Sequence, residues 1–283
     1  MAQFMQTLLM VSVMFLVLGV GLRTTIGQIV AVARQFLLLR GMLANFLIVP
    51  LAFYLGMLWL PLSLDVKIGI MIMAAAPIAP MAPPFVGMAK ADLAYSVGLM
   101  AIVALLSVPL TPLILSLALP EGTGGLTVDP WSIVKILLTA QLIPLCGGIA
   151  IRRVRPAWAD QLLKFVPRIG QIGLLISVGF ILWEQVEQIS AIRAFEHSII
   201  LAMVVASLLI GDLTLIGETV GRRRSLAIVT AIRNVPLAFL IANTSFPGTT
   251  VASVVLIFSV FSMLLSVIYG KLTIGRRGKE AGS

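Results

Sequence analysis

Long apolar stretches separated by short polar punctuation dominate the chain. A helix needs about 20 apolar residues to cross roughly 30 Å of hydrocarbon. Nine stretches approach that length: residues 5–22, 36–60, 66–88, 93–119, 132–151, 167–183, 197–217, 225–243 and 249–271. They predict an all-α polytopic membrane protein with nine transmembrane helices. The first stretch has no basic flank ahead of it and no Ala-x-Ala site behind it, so it reads as a retained span rather than a signal peptide. The longest connections, 119–131 and 152–166, are too short to fold as aqueous domains, and 274–283 reads as a loose cytoplasmic tail. The chain, 1–283, is therefore expected to be one membrane domain whose function lies within the bundle or at its mouths.

Composition agrees. Of the 283 residues 60% are hydrophobic and 11% charged, with a mean hydropathy of +1.11, where a soluble domain carries roughly 25% charged residues. So little polar surface excludes a soluble enzyme. The single cysteine, Cys146, allows no internal disulfide and, with one histidine, no structural zinc cluster. Beside Gly147 and Gly148 it reads as a small residue in a helix interface.

The net charge of +9 follows the loops. With the N-terminus outside, sixteen of the 20 Lys and Arg residues fall in cytoplasmic segments, among them Arg23, Arg152, Arg153, Arg155 and Arg222 to Arg224, against Lys67, Lys135 and Arg193 outside. The charge is topological, and a nucleic-acid partner finds no support. The expected setting is the plasma (inner) membrane, with the lipid bilayer as the immediate partner and the C-terminus cytoplasmic.

Two spans are badly formed as helices. In the third, Pro77, Pro80, Pro83 and Pro84 fall within eight residues, each lacking an amide donor and crowding the preceding turn. In the eighth, Arg233, Asn234 and Pro236 interrupt an otherwise apolar run. Irregular backbone at membrane depth survives only where protein or a water-filled cavity satisfies it. Two discontinuous helices therefore predict a shared internal site, whereas Pro50, Pro109, Pro112 and Pro144 read as simple kinks. The third span runs inward and the eighth outward, and each leads into a long apolar span. That is the pattern of an inverted repeat, with a four-helix first repeat over 1–119 and a five-helix second repeat over 132–271.

Arg233 at mid-span costs about 2.5 to 3.5 kcal/mol on insertion scales, so it should face the interior and have a partner. Asp212, the acid within another span, is the expected partner. If the two do not meet, Asp212 becomes a candidate proton carrier. Glu218 reads as an ordinary interfacial ion pair with the neighbouring arginines. The sequence has no nucleotide-binding glycine loop and no nucleophile with a base, so no cofactor and no enzyme activity are expected. A channel would want a longer polar lining than these spans offer.

The stretches 35–60, 76–112 and 231–240, with Ala89-Lys90-Ala91-Asp92 and Pro109-Leu110-Thr111-Pro112, resemble the bile acid:sodium symporter family over nearly the whole chain. The resemblance implies ten helices, or nine where the first is absent, arranged as core and panel domains with the two discontinuous helices crossing at the transport site. This chain would be a nine-helix member. The family's sodium-ligand pattern Cys-Pro-Gly-Gly-x-x-Ser-Asn falls on residues 76–83, where Ala82 and Pro83 replace the Ser and Asn. Ser96 matches a ligand serine, but the threonine one turn later is Met100. The family's Glu-x-Gly-Met-Gln-Asn falls on residues 229–234, so Val229 replaces the Glu and Arg233 the Gln; only Ser96 and Asn234 survive.

Sodium remains a possible partner with most of its ligands missing, and no other metal is expected. The implied function is a secondary active transporter of a small organic anion. Arg233 stands in for the cation, holds the crossing together and binds the anion bidentately. Sodium coupling would be weak or absent. The alternatives are a transport-inactive membrane scaffold or sensor, and a proton-coupled permease using Asp212.

Overall fold

The computed structural model describes residues 2–33, 36–119 and 129–280. Most of the expected 119–131 connection and the last three residues of the tail lie outside the described residues. In chain order the helices are α1 (Ala2–Arg23), α2 (Ile26–Ala33), α3 (Phe36–Trp59), α4 (Leu64–Ala75), α5 (Ala82–Met88), α6 (Leu93–Ala118), α7 (Pro130–Val154), α8 (Pro156–Leu162), α9 (Val166–Glu184), α10 (Val186–Ala191), α11 (Ala194–Thr214), α12 (Val220–Ala231), α13 (Val235–Ser245) and α14 (Val251–Glu280). Among the described residues seven runs are long and apolar enough to cross a membrane: α1, α3, α6, α7, α8 with α9, α11 and α14.

The two expected spans missing from that set are the ones the sequence breaks. Each is a pair of short helices, α4 with α5 and α12 with α13. Pro77 ends α4, because it has no amide to continue the ladder. Pro83 and Pro84 sit in the first turn of α5, and Pro236 in that of α13, where the missing N–H would have no helical partner anyway.

Three segments depart from the sequence reading. The basic connection 152–166 contains α8, started by Pro156 at its first position. Thr25 and Gln28 exchange side-chain to backbone hydrogen bonds of 2.9 and 3.2 Å, and this reciprocal cap starts α2 in a stretch read as a loop. The last helix continues through Glu280, into the stretch read as a loose tail.

Pro109 and Pro112 lie inside a continuous α6. Pro50 and Pro144 each follow a five-residue π turn, Ala44–Ile48 in α3 and Leu138–Leu142 in α7. The wider turn lets the helix pass a residue that cannot donate.

Helices in lipid gain little from hydrophobic association with each other, so small residues that let backbones approach carry the contacts. α1 packs between α7 and α9. A Cβ on Gly148 would run into the backbone of Leu18 and Leu22, and one on Gly170 into that of Ser12. In a second group α11 meets α12 through Gly211 against Ala227, and α4 meets α14 through Gly69 against Val254. Cys146 is exposed, so the interface reading of it is corrected: Gly148, two residues on, is the one that faces α1. Trp59, Trp131, Trp158 and Trp183 are all exposed near helix ends, as interfacial anchors should be.

Gly147 and Gly148 provide a matched test. A methyl at Gly148 must push two backbones apart and should cost about 1 to 3 kcal/mol, whereas a Cβ at Gly147 meets open space. Gly148→Ala should lower the melting temperature in detergent by several degrees and Gly147→Ala should not.

Candidate functional site

The breaks in α4–α5 and α12–α13 lie against each other. Ile78 and Arg233 form an isolated antiparallel bridge: the Ala79 amide donates to the Ile232 carbonyl at 3.0 Å, and the Asn234 amide donates to those of Ala76 and Pro77 at 3.2 and 3.1 Å. The structure thus brings Pro77, Pro80, Arg233, Asn234 and Pro236 to one crossing.

A helix end leaves its last carbonyls without intrahelical donors, and in a dry interior each needs a partner. At the end of α4 each is accounted for. The Met73 carbonyl accepts from Arg233 Nε at 2.6 Å and the Ala74 carbonyl from Arg233 Nη2. Ala75 accepts from Thr111 Oγ1 at 2.8 Å, and Ala76 from the Asn234 amide.

The same guanidinium serves two further elements. Nη1 donates to the Thr230 carbonyl at 3.3 Å, at the end of α12, and Nη2 to the Asn45 carbonyl at 3.2 Å. The Asn45 carbonyl is free for a traceable reason. The π turn sends the Val49 amide to Ala44, and the next donor along would be Pro50, which has none.

Arg233 is the largest fully buried side chain among the described residues, at 0% exposure. Its side chain donates to four carbonyls. Two helix C-termini, each carrying roughly half a negative charge, converge on one permanent cation. The expected partnership with Asp212 is therefore corrected. Asp212 is bound by Arg223 and by Tyr269 Oη at 2.8 Å, away from the crossing, where a shorter route to a cation was available. Glu218 pairs with Arg222 at 3.0 Å, as the sequence suggested. The bidentate anion contact expected of Arg233 is also not available in this conformation, because four of its five donors are committed to carbonyls.

Asn234 caps α13, accepting from the Leu237 amide at 3.3 Å, and donates Nδ2 to Gln141 Oε1 at 2.9 Å. Gln141, in the π turn of α7, in turn donates to the Ala104 carbonyl and Ser107 Oγ of α6. Ser96 is buried, but its hydroxyl is turned back along its own helix and donates to the Leu93 carbonyl. Asn45 and Gln141 were not anticipated. The available signal was an amide side chain a few residues ahead of a mid-span proline.

Several cavities flank the crossing. One of about 190 Å³ is walled by α1, α9, α13 and α14, including Leu9, Leu174, Val178, Val235, Phe239 and Leu256, with Ser259 its sole polar side chain. A smaller one, about 50 Å³, is lined by Pro80, Pro83, Pro84, Arg23 and Gln171. Met81 lies in the wall of both. Arg23 is exposed and its side chain has no hydrogen-bond or ion-pair partner among the described residues.

The carbonyls that converge at the crossing are held by the Arg233 guanidinium.

A model of the Sodium Bile acid symporter family matches residues 7–192, well over half of the chain. No curated protein matches it.

Replacing Arg233 by Met keeps the length and removes every donor, so several buried carbonyls lose their partner at about 1 to 3 kcal/mol each. Arg233→Met should lose more than about 3 kcal/mol in detergent unfolding, and Arg233→Lys, with three donors, should recover only part of it.

Proposed function

The chain belongs to the sodium bile acid symporter family, and from that premise we propose that it is a secondary active transporter that carries a small organic anion by alternating access without sodium. The observation that carries this reading is the buried Arg233 guanidinium, shared among the carbonyls of the two breaks and of α3. A cation held covalently needs no sodium beside it and repels one.

In this reading α1, α7 and α9 form the panel, and α3 to α6 with α11 to α14 form the core. The repeats over 1–119 and 132–271 draw support from a reciprocal pair of ties. Asp65, at the start of α4, accepts from the Thr250 amide and hydroxyl at 2.9 and 2.8 Å, just before α14. Asp92, just before α6, donates its amide to Gly221 at 3.2 Å and accepts at its carbonyl from Ser225 Oγ at 2.7 Å, both in α12. The start of each broken pair is thus tied to the start of the long helix that follows the other, as a two-fold relation requires. Nine crossings follow, with Arg23, Arg152 and Arg222 at the cytoplasmic end of the bundle.

The substrate's apolar body would occupy the 190 Å³ cavity, which is below the roughly 300 to 1,000 Å³ of sites for drug-sized ligands. Its carboxylate would face Arg23, which takes the anion-binding role once expected of Arg233, with Gln171 beside it. Small aromatic and branched aliphatic carboxylates fit that description. The proton route through Asp212 draws no support, because Arg223 and Tyr269 hold the carboxylate.

Counterflow in proteoliposomes tests this without presupposing a coupling ion. Vesicles preloaded with unlabelled phenylacetate, benzoate or 4-methyl-2-oxopentanoate should take up the labelled anion. The rate should be unchanged when potassium replaces sodium and at least tenfold lower for Arg23→Gln. Strong sodium dependence would refute the coupling claim, and no exchange of any of the three would favour the scaffold reading.

A further inference from the structure

An open cavity of about 570 Å³ lies away from the crossing, where the ends of α1 and α7 meet the starts of α2 and α8. It is lined by Thr24, Thr25, Ile26, Ile149, Arg152, Arg153 and Pro156. We infer that this cavity is a binding site for the phosphate headgroup of an anionic phospholipid.

The charge is arranged for an anion. Arg152 is fixed in place, with Nε donating to the Leu22 carbonyl and Nη1 to Asp160 Oδ1 at 2.8 Å, and its side chain is only 17% exposed. Arg153 is exposed and has no hydrogen-bond or ion-pair partner among the described residues. Asp160 offsets one of the two guanidinium charges and leaves the other uncompensated. α2 begins at the wall, with its first residue Ile26 in the lining, so the positive end of its dipole adds to the field. The Thr25 hydroxyl accepts from the Gln28 amide and keeps its own proton for a phosphate or glycerol oxygen.

The surroundings favour a lipid over a free ion. Ile26 in the lining, Val30 one turn further along α2 and Val154 next to Arg153 are exposed apolar residues, and Trp158, two residues after Pro156, is 64% exposed. Together they form an apolar shoulder with an interfacial aromatic, the level at which headgroups sit. Basic pockets between helices at the cytoplasmic side are a recurring site for such headgroups. The cavity joins α1 to α7, so an occupant would bridge two helices that otherwise meet through glycines.

Delipidated full-length protein in detergent, mixed at equal concentration with dioleoyl phosphatidylglycerol, dioleoyl phosphatidylcholine or inorganic phosphate, tests the inference by melting temperature and native mass spectrometry. Phosphatidylglycerol should raise the melting temperature by several degrees and stay bound in the spectrum; the other two should do neither. Arg153→Gln breaks no internal hydrogen bond, so it should fold normally and lose at least half of the shift. Arg155→Gln removes the same charge outside the cavity lining and should keep it. Equal stabilisation by phosphatidylcholine, full stabilisation by phosphate alone, or an equal loss in Arg155→Gln would each overturn the assignment.

Discussion

One guanidinium holds this fold at its weakest place. Two helices that each stop inside the bundle leave carbonyl oxygens facing one another, and like partial charges at short range repel. Arg233 lies between them and donates to the ends of α4 and α12 and to a carbonyl of α3. Without a cation there, the carbonyls it serves would be left as unsatisfied polar backbone at membrane depth, and the crossing would keep only its backbone bridge and the Thr111 hydroxyl bond.

The prolines make this arrangement possible. Pro77 deprives the Met73 carbonyl of its donor four residues on, and Pro50, acting through the π turn before it, does the same to that of Asn45. Each proline deletes a donor, and the same arginine supplies donors to the acceptors left behind. On the far side of the crossing Asn234 reaches Gln141 on α7, which in turn holds α6. Asn234 thereby connects the three-helix group of α1, α7 and α9 with the remainder. A hydrogen bond at that boundary has to break and re-form if the two groups move against each other.

Much of this was legible in the residues. Four prolines in eight positions, and Arg-Asn-x-Pro in an apolar run, mark the breaks without any structure. The partners of Arg233 were not legible, because they are carbonyls, which every residue carries and no sequence pattern reports. Among side chains Asp212 is the acid within another span, but in the fold Arg223 holds that carboxylate. The role of Cys146 failed for a related reason: a run of small residues shows that one helix face is close-packed, but its phase is set by the facing helix, and here Gly148 has that position. The short helices α2 and α8, eight and seven residues long, are too brief for a helical period to stand out between the apolar runs.

If the guanidinium acts as a resident cation, the position it leaves should accept a free one of the same shape. Arg233→Ala protein in detergent can be titrated with guanidinium in the low millimolar range, against sodium at matched ionic strength, with melting temperature as the readout. The account predicts that the variant is destabilised and that guanidinium restores much of the loss while leaving the wild type unmoved. A variant as stable as the wild type, or one that guanidinium fails to restore, would contradict it.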